Sequence, residues 1–212
     1  MSNTNTQTRK LVETALLIAI AVILSFVPLF HLPFGGTVTL CSMLPLIIVS
    51  YRYGVKWGLF SAFVYSLLQL IQGISFGDLK GLSVATVIGA VIFDYLLAYT
   101  VIGIGGMFRN KFKRPQFAYL FGTLIALLAR FLCHFISGYI FFGQWAEWFF
   151  SQEGYTFGQT VLDHFSGQPL YLLYSAVYNG LYMVPEIIIT TIVAVIVSFI
   201  PIVAEKHGST KA

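Results

Sequence analysis

Three residues spaced four apart are the strongest indication of a functional site in this sequence. Arg130, His134 and Gly138 fall within residues 127–138, an otherwise apolar segment with the character of a membrane-spanning helix. Steps of four stack on one face of an α-helix, so a cation, a titratable donor and a bare backbone share one stripe. A charge at bilayer depth is costly and usually faces the protein interior. The stripe therefore predicts a polar site inside a helical bundle.

Two further apolar segments carry polar groups that could meet this stripe. Asp94 and Tyr95 lie near the middle of one of them. On the last segment, Asn179 and Glu186 are seven apart and share a helix face, beside a stripe of tyrosines at steps of four. These tyrosines are Tyr174, Tyr178 and Tyr182. Counting from the outer ends of the segments, we expect the polar groups to converge in the outer half of one bundle.

The buried charges admit a structural and a functional interpretation. Arg130 could simply pair with Asp94 or Glu186, since an unpaired buried arginine is intolerable. One carboxylate would then remain without a cationic protein partner. A buried carboxylate rimmed by tyrosines suits a cationic organic ligand through charge pairing and cation–π contact. His134 as a satisfied core histidine, and the tyrosines as packing, remain open interpretations.

Composition places the whole chain in the membrane. Of 212 residues, 58% are hydrophobic and 9% charged, against about 25% charged in an average soluble domain. The mean hydropathy is +0.84, and no polar stretch is long enough for a soluble domain. We therefore predict one integral membrane domain, residues 1–212. The sequence has no phosphate-binding loop and no metal-ligand spacing, and Cys41 and Cys133 lie in apolar runs, so we expect no metal, cofactor or disulfide.

The predicted fold is an all-α bundle of six transmembrane helices. The spans are about 10–30, 37–51, 56–74, 82–107, 116–142 and 169–203. The second is short and interrupted by Pro45, and the sixth is long and contains Pro185. Ten cationic residues flank the spans on one side: Arg9, Lys10, Arg52, Lys56, Arg109, Lys111, Lys113, Arg114, Lys206 and Lys211. By the positive-inside rule both termini are cytoplasmic, which makes this a multi-pass cell-membrane protein.

Two surface features have less specific interpretations. The outer loop 143–167 has no Lys or Arg but many aromatic residues, Tyr155 among them, and is either an interfacial belt or a lid over an outward-facing pocket. In the first span, Ala15 and Ala19 form a small-x-x-x-small groove, where a second membrane helix could approach closely.

Several segments together resemble a known family. They are GGTVTL (35–40), MLP (43–45), YRYGVKWGL (51–59), FDYLLAY (93–99), RFLCHFISG (130–138) and YSAVYNGLYMVPE (174–186). With these segments the chain resembles the substrate-binding S components of energy-coupling factor (ECF) vitamin transporters, and within them the thiamine-specific ThiT group. The resemblance covers nearly the whole chain.

The resemblance implies a non-enzymatic subunit that captures thiamine from outside. It would dock through Ala15 and Ala19 onto a membrane scaffold subunit driven by two cytoplasmic ATPase subunits, with no role for nucleic acid. Carried over by motif, Asp94 takes the place of the acid near the thiazolium cation, although the family pattern has the longer Glu. The other ligand contacts implied are Tyr95, His134, Gly138, Phe142 (where the pattern has Trp), Tyr174 and Asn179. The helix spacing described above, independently of the resemblance, adds Glu186 to these ligand contacts.

Other hypotheses remain compatible with the residues. The chain could be an S component for another vitamin or precursor. It could be an intramembrane enzyme acting on a lipid head group, with Asp94, His134 and Glu186 as acid–base residues. It could also be a self-sufficient transporter or channel, which would take up its substrate without partner ATPases.

Overall fold

The computed structural model describes residues 3–32, 36–153 and 156–207 and is mostly helical. Lys211, residues 33–35 of the first outer loop and Tyr155 of the last lie outside the described residues. The elements, in chain order, are α1 (Asn3–Ser25), β1 (Pro28–His31), β2 (Thr37–Thr39), α2 (Leu44–Tyr53), α3 (Val55–Phe76), α4 (Val84–Gly106), α5 (Pro115–Phe141), α6 (Ala146–Phe150), α7 (Gly158–His164), α8 (Gly167–Val197) and α9 (Pro201–Ala204).

Four of the described helices, α3, α4, α5 and α8, are long and apolar enough to cross a membrane. They have 22, 23, 27 and 31 residues, and their bounds lie close to the predicted third to sixth spans, except that α8 ends at Val197. At a rise of about 1.5 Å per residue, the length of each of these helices exceeds the hydrocarbon thickness of about 30 Å. The prediction of a helical membrane protein is confirmed.

The first two predicted spans were wrong in detail. α1 ends at Ser25, since Pro28 cannot continue a helix, and α2 does not begin until Leu44. Between them β1 and β2 pair antiparallel, with His31 opposite Thr37, so the chain is not all-α. Residues 37–51 are therefore not one helix. With 10 residues, α2 rises only about 15 Å and is buried among its neighbours.

The helix α4 changes its winding along its length. An α-helical start (Val84–Ala90) is followed by a π-helical segment (Val91–Leu97), a short α-helical stretch (Ala98–Thr100) and a 3₁₀ segment (Val101–Gly106). The 3₁₀ segment packs backbone to backbone, because a Cβ on Gly103 would lie 2.4 Å from the Leu59 nitrogen. The π segment carries Asp94 and Tyr95, and single π turns in α-helices are frequent at functional sites.

A polar network closes one end of the bundle, which we call the cationic end. Arg52 lies at its centre, 4% exposed, and its Nη2 donates to Glu13 Oε2 (2.9 Å) on α1 and to His207 Nε2 (2.8 Å). Arg109 donates to the His207 carbonyl over 2.8 Å. The C-terminal segment thus ties together the ends of α1, α2 and α4. The helix α3 starts beside this network and ends at the opposite, hairpin end of the bundle.

A candidate ligand-binding cavity

A cavity of about 760 Å³ opens at the hairpin end, between β1–β2 and α1, α3, α4, α5 and α8. All eight residues predicted to bind substrate line it: Asp94, Tyr95, His134, Gly138, Phe142, Tyr174, Asn179 and Glu186. The helices α4, α5 and α8 thus converge on one chamber, as helix periodicity predicted. Most members of the set nevertheless have protein partners that the sequence did not indicate.

Asp94 is held by two donors from α5. His134 Nδ1 lies 2.9 Å from Oδ1, and Ser137 Oγ donates to Oδ2 over 2.6 Å. Because a carboxylate only accepts, Nδ1 carries the proton, and the buried Nε2 has no hydrogen-bond partner among the described residues. The Asp94 side chain remains 21% exposed, and no Lys or Arg pairs with it in the described chain. A carboxylate therefore faces the cavity with an imidazole and a hydroxyl as its partners.

Glu186 is engaged by the hairpin. Its two carboxylate oxygens accept from the backbone nitrogen of Thr39 (2.7 Å) and from the Thr39 hydroxyl (2.9 Å). Glu186 thereby fixes the end of β2 against α8. This partner could not be read from the sequence, since the two residues are 147 positions apart.

The expected ion pair of Arg130 with Asp94 or Glu186 is wrong. No carboxylate oxygen of the described residues lies within bonding range of its guanidinium. Instead the guanidinium carbon is 4.6 Å from the ring centroid of Tyr99, and Nη1 contacts the Met43 sulfur. Both carboxylates are already occupied by nearer donors. Arg130 is stabilised by the aromatic ring and by longer-range attraction to Glu186.

Gly138 and Asn179 join α5 to α8. Asn179 Nδ2 donates to the His134 carbonyl (3.2 Å) and to the Ser175 carbonyl (2.9 Å), and its Oδ1 accepts from Tyr182 (2.7 Å). A Cβ on Gly138 would lie 2.4 Å from Ser175 Oγ. The missing side chain of Gly138 was expected to let a ligand approach closely, and in the structure it lets α8 approach closely. Gly138 and Asn179 nevertheless both line the cavity.

Aromatic rings cover the α8 side of the cavity. The centroids of Tyr174 and Tyr178 are 5.6 Å apart, and those of Tyr178 and Tyr182 are 6.1 Å apart. Phe149, from the last outer loop, is 1% exposed and packs edge-on against Tyr174 at 5.3 Å. At this point of the loop, α6 folds inward onto the tyrosines. Phe142 lies beside Trp145, with ring centroids 5.4 Å apart.

Sequence reasoning missed several residues of the site. Ser137 could have been found, because it follows His134 by three positions and so lies on the same helix side. No local sequence pattern indicated Tyr99, Thr39 or Asp78, since their roles depend on residues of other elements. Asp78 lies in the turn after α3 and accepts from the Tyr95 hydroxyl over 2.8 Å. Gln69 and Gln72 of α3, bonded to each other at 3.1 Å, form a further polar wall.

The predicted docking residues lie away from the cavity. Ala15 and Ala19 are both on the exposed face of α1. The opposite face of this helix is tied to the bundle through Thr14, whose hydroxyl accepts from Trp57 Nε1 at 2.9 Å.

Fold and site together define a class, that of multi-pass membrane proteins with a polar, aromatic-lined chamber closed towards one end. Residues 11–160 match the family model described as "Thiamine transporter protein". The chain is 31% identical over 202 residues to the thiamine transporter ThiT of Bacillus subtilis, covering 90% of this chain and 91% of that protein. It is 27% identical over 148 residues to the thiamine transporter ThiT of Lacticaseibacillus paracasei, covering 64% and 69%.

This chain belongs to the thiamine transporter family. Its fold is similar to that of ThiT from Listeria monocytogenes, with a TM-score of 0.67 at 21% identity, covering 94% of this chain and 99% of that one. The family resemblance, the transport role of the family and the multi-pass cell-membrane location inferred from the sequence are confirmed.

Proposed function

We propose that this protein is the S component of an ECF-type vitamin transporter and that it binds thiamine in the cavity at the hairpin end. The observation that supports this proposal is Asp94, a cavity carboxylate bound by an imidazole and a hydroxyl and by no Lys or Arg of the described residues. Thiamine carries one permanent positive charge on its thiazolium ring. The transporter family, rather than any catalytic arrangement, supports a binding role instead of an enzymatic one.

The charges around the cavity favour a ligand with one positive charge. Its interior acids are Asp94 and Glu186, and its interior arginine is Arg130. A third acid, Asp78, lines the rim, where it accepts from the Tyr95 hydroxyl. Arg130 offsets Glu186 at longer range, and the His134 bond to Asp94 needs only a neutral imidazole. The remaining interior charge is that of Asp94. A monocation would neutralise it, and a neutral vitamin would leave it uncompensated in a partly dehydrated site.

The aromatic rings suit the same ligand. Tyr174, Tyr178 and Phe142 all line the cavity, so a flat cationic heterocycle could stack there. Such contacts add stabilisation beyond buried area when the cation is desolvated. The unpartnered His134 Nε2 is an acceptor for a ligand N–H group.

We propose further that residues 1–212 form one bundle of six helices with both termini in the cytoplasm. In this arrangement the cationic end lies inside, where the positive-inside rule puts it, and the cavity opens outward. The helix α1, with Ala15 and Ala19 on its exposed face, would dock onto a membrane scaffold subunit, which two ATPase subunits drive. An alternative within the same class is an S component for another cationic vitamin or precursor.

The test is a titration of the purified protein in detergent, followed by tryptophan fluorescence. Trp145 packs on the cavity residue Phe142, so occupancy of the cavity should change its emission. We expect thiamine to quench fluorescence with submicromolar affinity and riboflavin, biotin and niacin to leave it unchanged. Binding of a neutral vitamin without binding of thiamine would overturn the proposal.

A further inference from the structure

The turn after α3 holds a third acidic residue of the cavity, Asp78, at its rim. The chain leaves α3 through Gly77, whose φ is +84°, and the Asp78 nitrogen donates to the Gly73 carbonyl over 3.0 Å. These features are those of a helix C-cap, so the Asp78 backbone is fixed to the end of α3. Its carboxylate is thus presented from a rigid position.

Tyr95 reaches this carboxylate from the neighbouring helix. Its hydroxyl donates to Asp78 Oδ2 at 2.8 Å, and its ring lies against the bare backbone of Gly73. A Cβ on Gly73 would lie 2.0 Å from the Tyr95 hydroxyl oxygen, so any larger residue there would displace the ring. The hydroxyl and the ring are therefore both held by α3.

The π-helical segment carries two consecutive residues that bond to different neighbours. Asp94 points to α5, where His134 and Ser137 bind it, and Tyr95 points to α3. Successive residues on a helix are rotated by about 100°, which permits this division. Both side chains line the cavity, so the Tyr95 ring forms the wall directly beside the Asp94 carboxylate.

We infer that Asp78 is a positioning residue for ligand binding, acting through Tyr95. The inference rests on the proposed function. Asp78 holds the Tyr95 ring over the α3 side of the cavity, which keeps water away from the pair formed by Asp94 and the ligand cation. A charge pair weakens steeply as water enters, because the effective dielectric constant rises. Loss of the Asp78 bond should therefore speed ligand release.

The experiment measures association and dissociation rates of thiamine by stopped-flow tryptophan fluorescence on the purified full chain. Asp78→Ala removes the acceptor, and Tyr95→Phe removes the donor of the same bond. We expect each to raise the dissociation rate about tenfold, the scale of one hydrogen bond to a charged group, with little change in the association rate. Asp78→Ala added to Tyr95→Phe should have no further effect.

Two controls separate positioning from charge and from folding. Asp78→Asn keeps a hydrogen-bond acceptor without the charge, so it should restore most of the slow dissociation. Asp163→Asn changes an exposed acid of α7, whose carboxylate accepts from Gln159 Nε2 over 2.9 Å, and it should bind as the unsubstituted chain does. Melting temperatures without ligand identify any variant that has lost its fold. If either Asp78→Ala or Tyr95→Phe has lost it, the other substitution tests the inference.

The alternatives give different patterns. If Asp78→Asn is as impaired as Asp78→Ala, or if the association rate falls instead, the carboxylate acts by attraction and the inference is wrong. The inference is also wrong if the effects of Asp78→Ala and Tyr95→Phe on the dissociation rate multiply in the double variant. Failure of the unsubstituted chain to bind thiamine would overturn the proposed function and the inference with it.

Discussion

Replacing Asp94 with Asn tests the central electrostatic argument. The substitution removes the negative charge and keeps the size of the side chain. Asn still accepts from His134 Nδ1 through its oxygen, and its amide can donate to Ser137 Oγ, because a hydroxyl serves as donor or acceptor. The hydrogen bonds of Asp94 to α5 can thus be replaced without rearrangement. We therefore expect the variant to fold.

The expected loss in affinity follows from the surroundings of the carboxylate. The Asp94 side chain is only 21% exposed, and the ligand cation would cover that remainder. Removing one partner of a desolvated charge pair costs upwards of 2 kcal/mol. Here a loss of about 2–4 kcal/mol is expected, because Glu186 remains in the same cavity. That corresponds to a Kd raised about 30- to 900-fold.

The assay is the fluorescence titration with thiamine, run beside Asp163→Asn as the matched control. The control also removes one acidic charge, but from an exposed position on α7. We expect it to bind with unchanged affinity and both variants to melt near the unsubstituted chain. An Asp94→Asn protein that is folded and binds thiamine as tightly as the control would refute the carboxylate-for-cation argument.

Three further predictions concern packing, docking and pH. Gly138→Ala should lower stability by about 1–3 kcal/mol through overpacking, whereas Gly180→Ala, with nothing within 4 Å of the new Cβ, should be neutral or stabilising in thermal melts. Ala15→Trp combined with Ala19→Trp should leave thiamine binding in detergent intact and abolish uptake in cells that contain the scaffold and ATPases; normal uptake would remove docking from this face of α1. Burial lowers the pKa of His207, so its contribution to stability is present above its ordinary pKa of about 6.5 and is lost as pH falls through the lowered value. The melting temperature should therefore drop on acidification, and less so in His207→Gln; equal drops would show that other groups titrate.

The polar residues of the site were predictable because their signal is local. A charged or amide side chain in a segment that must cross a membrane has few places to go, and helix periodicity decides which residues share its side. Arg130, His134 and Gly138 were found in this way, as were Asn179 and Glu186. The structure brings these residues to one cavity.

Their partners were not predictable, since partners depend on which elements meet. Arg130 was expected to form an ion pair, but its guanidinium lies over Tyr99. Glu186 binds Thr39 of a strand that was assigned to a membrane span. No spacing rule links residues so far apart. The first contact follows from the packing of α4 against α5, and the second from that of β2 against α8.

The sequence by itself determined that this is a membrane protein, where its long helices run and which residues are polar inside them. These properties depend on hydropathy and on the fixed period of the α-helix, and both are read within one segment. Tertiary structure alone decided the β-hairpin, the shortness of α2 and the π-helical turn at Asp94. Each of these trades regular backbone hydrogen bonds for contacts with other elements, such as those of Asp94 with α5 and of Tyr95 with α3. Their stability resides in the assembled bundle, and no window of sequence contains it.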